Sequence, residues 1–167
     1  MMTAGLFPTA VVAMTVATGG VPKAAIVAPA NAPNPVRFAA EELKHFLDRV
    51  TGAEFAIVED VPQETPAIVL GEDLAEQAGI SIDELTRDGY VLKTIGQRLY
   101  VAGSDDRGDR STILFSAYDG PLPENASGTD RVRAWGDLAW DFERGTLHGV
   151  YDLLERVGVR WFFPGDA

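Results

Sequence analysis

The chain has 167 residues, 46% of them hydrophobic and 23% charged, with a formal net charge of −11. That length suits one domain, two at most, and the apolar share excludes wholesale disorder. With no cysteine and two histidines, the chain excludes a disulfide framework, a thiolate nucleophile, a Cys-based zinc site and a three-His metal site. Its acidic balance argues against general nucleic-acid binding and against docking on an anionic membrane surface.

Residues 1–20 (MMTAGLFPTAVVAMTVATGG) are apolar and small. A secretory signal combines a basic n-region, an apolar h-region and a small-residue cleavage site. The run 11–17 has h-region character, but no Lys or Arg precedes it and Pro8 interrupts it. It is shorter than the roughly 20 apolar residues of a membrane span, so no membrane span is expected. Two readings stay open: a signal-like remnant, or a first strand, favoured over 14–17 by its Thr and Val. The signal-like reading goes with an extracellular or periplasmic location.

Residues 24–28 (AAIVA) read as a buried strand, followed by a Pro/Asn-rich connector. Asn34 then Pro35 predict a helix start, with Asn34 as N-cap. Val36, Ala39, Ala40, Leu43, Phe46, Leu47 and Val50 recur at helical spacing to about residue 50, and Gly52 supplies the stop. His45 falls on the polar face. Residues 55–58 and 67–70 (AIVL) predict two more strands. Residues 73–78 predict a short helix, and Ser81 with Glu84 a capped turn. Residues 89–94 and 98–102 flank Ile95, Gly96 and Gln97, a β-hairpin signal.

Residues 103–108 (GSDDRG) break structure after that strand. They lack the glycine spacing of a phosphate loop, and two aspartates would repel phosphate. Asp105 and Asp106 are candidate paired carboxylates, but neighbouring side chains diverge, and bracing of the turn is the favoured role. Residues 109–143 form a long insertion with Pro121, Pro123, Trp135 and Trp140; loops of this length are commonly functional or mobile. Within it, Asn125 to Ser127 spell a glycosylation sequon. Trp135 and Trp140 suit either sugar stacking or packing. A last helix is expected over 145–157, with Leu147, Val150, Tyr151, Leu154 and Val157 inward, and a terminal strand over 160–163 (RWFF). His148 could serve as an acid or base, but no nucleophile stands in a recognisable partnership with it, so a surface or capping role is favoured.

The pattern predicts an α/β sandwich: one mixed sheet, two main amphipathic helices packed on one face, and a long insertion before the last helix. No catalytic constellation, metal site or cofactor motif emerges from the residues themselves.

Four segments carry a resemblance: PNPVRFAAEELKHFLDRVTG (33–52), AIVLG (67–71), DGYVLKTIGQRLYVAGSDDRG (88–108) and RGTLHGVYDLLERVGVRWFFPG (144–165). The series is similar to the N-terminal domain of alpha-glucuronidases of glycoside hydrolase family 67. The domain type also resembles the small pre-barrel domain of family 20 beta-hexosaminidases and domains of large secreted bacterial proteins predicted to act on polysaccharides. In those families the Asp-Arg-Gly loop runs directly into the last helix; here residues 109–143 intervene.

The resemblance implies a non-catalytic accessory domain over residues 21–167, supporting a (β/α)8 barrel of the same polypeptide. The barrel is expected after residue 167 and would hold the catalytic carboxylates. No residue here is carried over as catalytic. Gly103, Asp105, Arg144 and Gly145 are the expected structural turn. Arg160, Trp161, Phe162 and Phe163 are the expected interdomain contact, with exposed apolar surface around 161–163 when the partner is absent. Trp135 and Trp140 are candidates for the substrate rim or for sugar stacking. The alternative is a free-standing carbohydrate-binding module using those aromatic residues. A weaker one is a small enzyme using His148 with Asp105 or Asp106.

Overall fold

The computed structural model describes residues 14–107 and 143–161. The element order is β1 (Ala17–Thr18), β2 (Val21–Pro22), β3 (Ala25–Val27), α1 (Asn34–Thr51), β4 (Ile57–Val58), β5 (Ala67–Leu70), α2 (Glu72–Gln77), β6 (Tyr90–Ile95), β7 (Arg98–Gly103) and α3 (Gly145–Arg156). β1 and β2 pair as a small antiparallel ribbon, and the other strands form one sheet in the order β4-β3-β5-β7-β6. Four of its strands run parallel; β6 pairs antiparallel with β7.

Burial explains the run of apolar residues in the central strands. A parallel sheet is covered on both faces, so both side-chain sets must be apolar. Ile26, Ile68, Leu70 and Val101 join the larger core under α1 and α3. Val27, Ala67, Val69, Tyr100 and Ala102 point the other way, into a smaller core closed by Ala75, Ile80 and Ile82. The two main helices lie together on one face, as the sequence predicts. The opposite face is not bare: α2 and the chain after it cover it.

α1 brings Val36, Ala39, Ala40, Leu43 and Leu47 against the sheet. It ends at Gly52, whose φ of 66° and N–H bond to the Asp48 carbonyl close the last turn. The Asp48 Oδ1 then accepts the Phe55 N–H at 2.8 Å. That bond steers the chain toward β4 and buries the Phe55 ring.

Several boundaries differ from expectation. The N-cap of α1 is Pro33 rather than Asn34, which lies inside the helix and accepts a hydrogen bond from Arg37. Val50 and Val157 are 50% and 46% exposed; Val50 falls in the last turn of α1, and Val157 is the C-cap just past the end of α3. Ser81 caps no helix and instead bonds Asp83, both through its backbone N–H and its carboxylate. The strand expected over 55–58 shortens to Ile57–Val58. β1 is Ala17–Thr18, so residues 14–16 are not strand. Arg160 and Trp161 are not in a strand. Trp135, Trp140, the sequon at Asn125, Phe162, Phe163 and the start of the chain to residue 13 lie outside the described residues.

Leu43 is fully buried while Val50 is half exposed. Leu43→Ala is expected to lower the unfolding free energy by about 3 kcal/mol, and Val50→Ala to change it by under about 0.5 kcal/mol. Urea titration of the two variants reads the contrast.

Candidate functional site

Two places concentrate chemistry: a buried junction at the end of β7 and an aromatic groove on the helical face. At the junction β7 meets the start of α3. Asp105 is buried, and both carboxylate oxygens engage Thr146: Oδ1 accepts its N–H at 3.1 Å and Oδ2 its hydroxyl at 2.5 Å. Thr146 Oγ1 in turn accepts the Gly103 N–H at 3.1 Å. Asp105 therefore satisfies an orphan donor of the helix N-terminus from outside the helix.

Backbone bonds fasten the same place. Gly145 N–H donates to the Ser104 carbonyl at 2.9 Å, and Asp106 N–H to the Glu143 carbonyl at 2.8 Å. Asp105 and Arg144 form an antiparallel bridge. Ser104 Oγ donates to Glu143 Oε2 at 2.5 Å. Close approach demands glycine here. A Cβ on Gly145 would lie 2.4 Å from the Gly89 carbonyl oxygen, and one on Gly103 would meet the same oxygen at 2.4 Å. The structure thus brings Gly103, Asp105, Arg144 and Gly145 into one contact.

Burial pushes the Asp105 carboxyl up to about 7, with the two Thr146 bonds pulling the other way. A raised carboxyl in a cleft can mark an acid catalyst. Here the adjoining cavity, lined by Leu70, Gly71, Glu72, Asp73 and Arg107 among others, holds about 10 Å³, roughly the space of one water. Among the described residues, the space beside Asp105 is smaller than a sugar ring.

Arg107 turns toward α2 rather than α3. Its guanidinium reaches Asp73 at 2.5 Å and Glu72 at 3.4 Å. The loop 103–107 therefore offers no phosphate cradle: Gly103 N–H is taken by Thr146, and acidic groups surround Arg107.

His148 does not pair with Asp105. The carboxylate it faces is Asp88, with Nε2–Oδ1 at 3.8 Å, outside hydrogen-bond reach. Burial holds the imidazole below its usual range against the pull of Asp88. Asp88 also accepts the Arg144 N–H at 3.3 Å and adopts a positive φ of 59°. Its part was missed in the sequence, although the Asp88-Gly89 pair is a turn signal.

The second place lies between the outer sides of α1 and α3. Glu42, His45, Phe46, Tyr151, Glu155 and Trp161 line an open groove of about 580 Å³. Trp161 is 43% exposed. Its ring stands nearly perpendicular to Phe46 and Tyr151, with centroids 4.8 and 5.1 Å away. The Tyr151 hydroxyl donates to Glu42 Oε2 at 3.0 Å, tying the two helices together. Arg160 lies beside Trp161 and gives its guanidinium to the carbonyls of Glu155 and Val159, both at 2.7 Å. Phe46 and Tyr151 were expected on buried faces; both are half-buried, because each helix ends its cover at this groove.

The sheet and its two-helix face are the architecture that the residue pattern predicts. A family model for the glycosyl hydrolase family 67 N-terminus matches residues 18–119. The chain belongs to that family. No curated protein matches it. The matched span runs from the end of β1 through β7 and Asp105; α3 and the groove residue Trp161 lie beyond it. Among the described residues of this family 67 N-terminal domain, no cluster of three or more His, Asp or Glu is placed to hold a metal ion. No described helix is long and apolar enough to cross a membrane.

Two expectations follow for the junction. The folded carboxyl of Asp105, near 7, lies above its ordinary value of 3.8. The native state keeps a proton that the unfolded chain releases. The stability tied to that proton is complete below about pH 4 and is lost as pH rises toward 7, at up to roughly 1.4 kcal/mol per pH unit. Asp105→Asn, which keeps the bonding pattern of the protonated acid, removes this part of the slope; urea titrations at several pH values compare the two proteins. Since Asp106 and Glu143 are already bonded, replacing residues 108–142 with a two-glycine link is expected to leave the fold intact. The expected change in Tm is under about 5 °C, read by circular dichroism.

Proposed function

We propose that this chain is a non-catalytic accessory domain of a glycoside hydrolase, and that it supports a catalytic (β/α)8 barrel of the same polypeptide. The observation that carries the reading is the family 67 N-terminal match over most of the sheet domain. The site chemistry agrees with it. Asp105, the carboxyl whose acidity is most altered, is used up in holding α3. Hydrolysis of a glycosidic bond needs carboxyl groups that reach the scissile oxygen and the anomeric carbon, and the space that the described residues leave beside Asp105, about 10 Å³, admits neither.

Trp161, left 43% exposed on a groove of aromatic rings, supplies the apolar surface that a partner domain would cover. Arg160 and Trp161, and with them Phe162 and Phe163, form the proposed contact. A polysaccharide substrate goes with an extracellular or periplasmic location. Trp135 and Trp140 are retained as candidates for the rim of the substrate cleft.

The test is hydrolysis of glucuronoxylan and chitin oligosaccharides by the 167-residue chain and by the polypeptide that includes whatever the source gene encodes downstream. Turnover is expected only from the longer polypeptide. Turnover by the 167-residue chain itself would overturn the reading. A stop codon directly after the codon for Ala167, joined to glycan binding that Trp135→Ala abolishes, would replace it with the carbohydrate-binding module.

A further inference from the structure

The helical groove carries a charge pattern that a plain supporting surface does not require. The cores of protein interfaces are depleted of charged residues. Here Glu42 and Glu155 flank three aromatic rings, and among the described residues no lysine or arginine lines the groove. The neighbouring described cations reach groups other than the two carboxylates: Arg160 the carbonyls of Glu155 and Val159, and Arg49 the ring of His45, itself a lining residue, at 3.5 Å. The remaining lining group, His45, packs edge-on against Phe46 with centroids 5.0 Å apart.

The rings are held in place. Trp161 stands at 86° to Phe46 and 73° to Tyr151, so each braces the next, and Tyr151 is anchored through Glu42. Aromatic faces carry the negative part of the ring quadrupole. Two carboxylates at the edge of such rings strengthen the attraction for a cation. A guanidinium is the better fit than an ammonium, because it stacks on an aromatic face while its N–H fork meets a carboxylate.

We infer that this groove receives an arginine side chain of the catalytic domain, stacked on the aromatic cluster and paired with Glu42 or Glu155. The inference rests on the accessory-domain reading. It names the chemistry of the partner residue, and it places a charged anchor at the centre of a contact otherwise made by Trp161.

The test uses the indole N–H signals of the 167-residue chain by NMR, with Trp161 identified by the signal missing from Trp161→Phe. N-acetyl-arginine amide is titrated against N-acetyl-citrulline amide, which has the same shape without the charge, and against methyl xyloside. The arginine compound is expected to move the Trp161 signal, and the citrulline compound to bind about fivefold more weakly. Glu42→Gln with Glu155→Gln, in a chain whose amide spectrum stays dispersed, should cost the arginine compound about the same factor. Added salt should weaken it further. Equal responses to arginine and citrulline, or a silent Trp161, would overturn the assignment. A larger response to methyl xyloside would also overturn it and make the groove a sugar site. The accessory-domain reading is judged separately by hydrolysis, so an arginine titration that fails leaves it standing, and turnover by the chain alone defeats it whatever Trp161 does.

Discussion

A buried acidic side chain at the end of β7 fastens the last helix of this fold. Asp105, at the end of β7, must find partners for two desolvated oxygens, and α3 must find an acceptor for the donors at its N-terminus. Thr146 satisfies both needs from a position 41 residues away in sequence. That pairing adds a side-chain clamp to the backbone bonds that join the end of β7 to the start of α3. With it, and with Asp106 bonded to Glu143, the ends of that stretch are fixed side by side. The entropy of closing a loop grows slowly with its length. An insertion is tolerated at such a place because its closure is secured by the domain rather than by its own residues.

Everything on the helical face follows from the placement of α3. Gly103, Gly145 and Gly149 let the helix approach the sheet closely; a Cβ on Gly149 would lie 2.8 Å from Val101 Cγ1. Close approach buries Val150 and Leu154 fully. It also brings Tyr151 to Glu42 on α1. The groove of Phe46, Tyr151 and Trp161 is thus a product of the same junction, although no junction residue lines it. In this domain the residues most altered by burial do structural work, and the residues suited to meeting a partner are the half-exposed ones at the rim of the helical layer.

The acidic net charge gains a local meaning from this arrangement. Glu72 and Asp73 are occupied by Arg107 near the end of β5. Glu42 and Glu155 stand instead beside aromatic rings, where a guanidinium would be attracted both by charge and by the ring faces. Charge in the first place closes a turn; in the second it defines what the surface can accept.

Much of the architecture was legible in the residues. The 3.6-residue rhythm of Val36 to Leu47 specifies α1 and its buried face, because a helix in contact with a sheet must be apolar on one side. The alternation within AIVL and RLYVA carries two faces of a sheet, and Gly96 takes the positive φ, 59°, that the tight hairpin between β6 and β7 needs. The family resemblance was legible too, through the order of four short segments. The limits of the cores were not: Val50 and Val157 fit their helical patterns but are exposed, and helical periodicity carries no information about where the opposing surface stops. Nor could the sequence pair Asp105 with Thr146 rather than with His148, or set Phe46 and Tyr151 around Trp161. Local pattern determines which elements form and which faces are apolar. Partners separated by a long insertion, and the rim where burial ends, are decided only when the tertiary structure brings distant segments together.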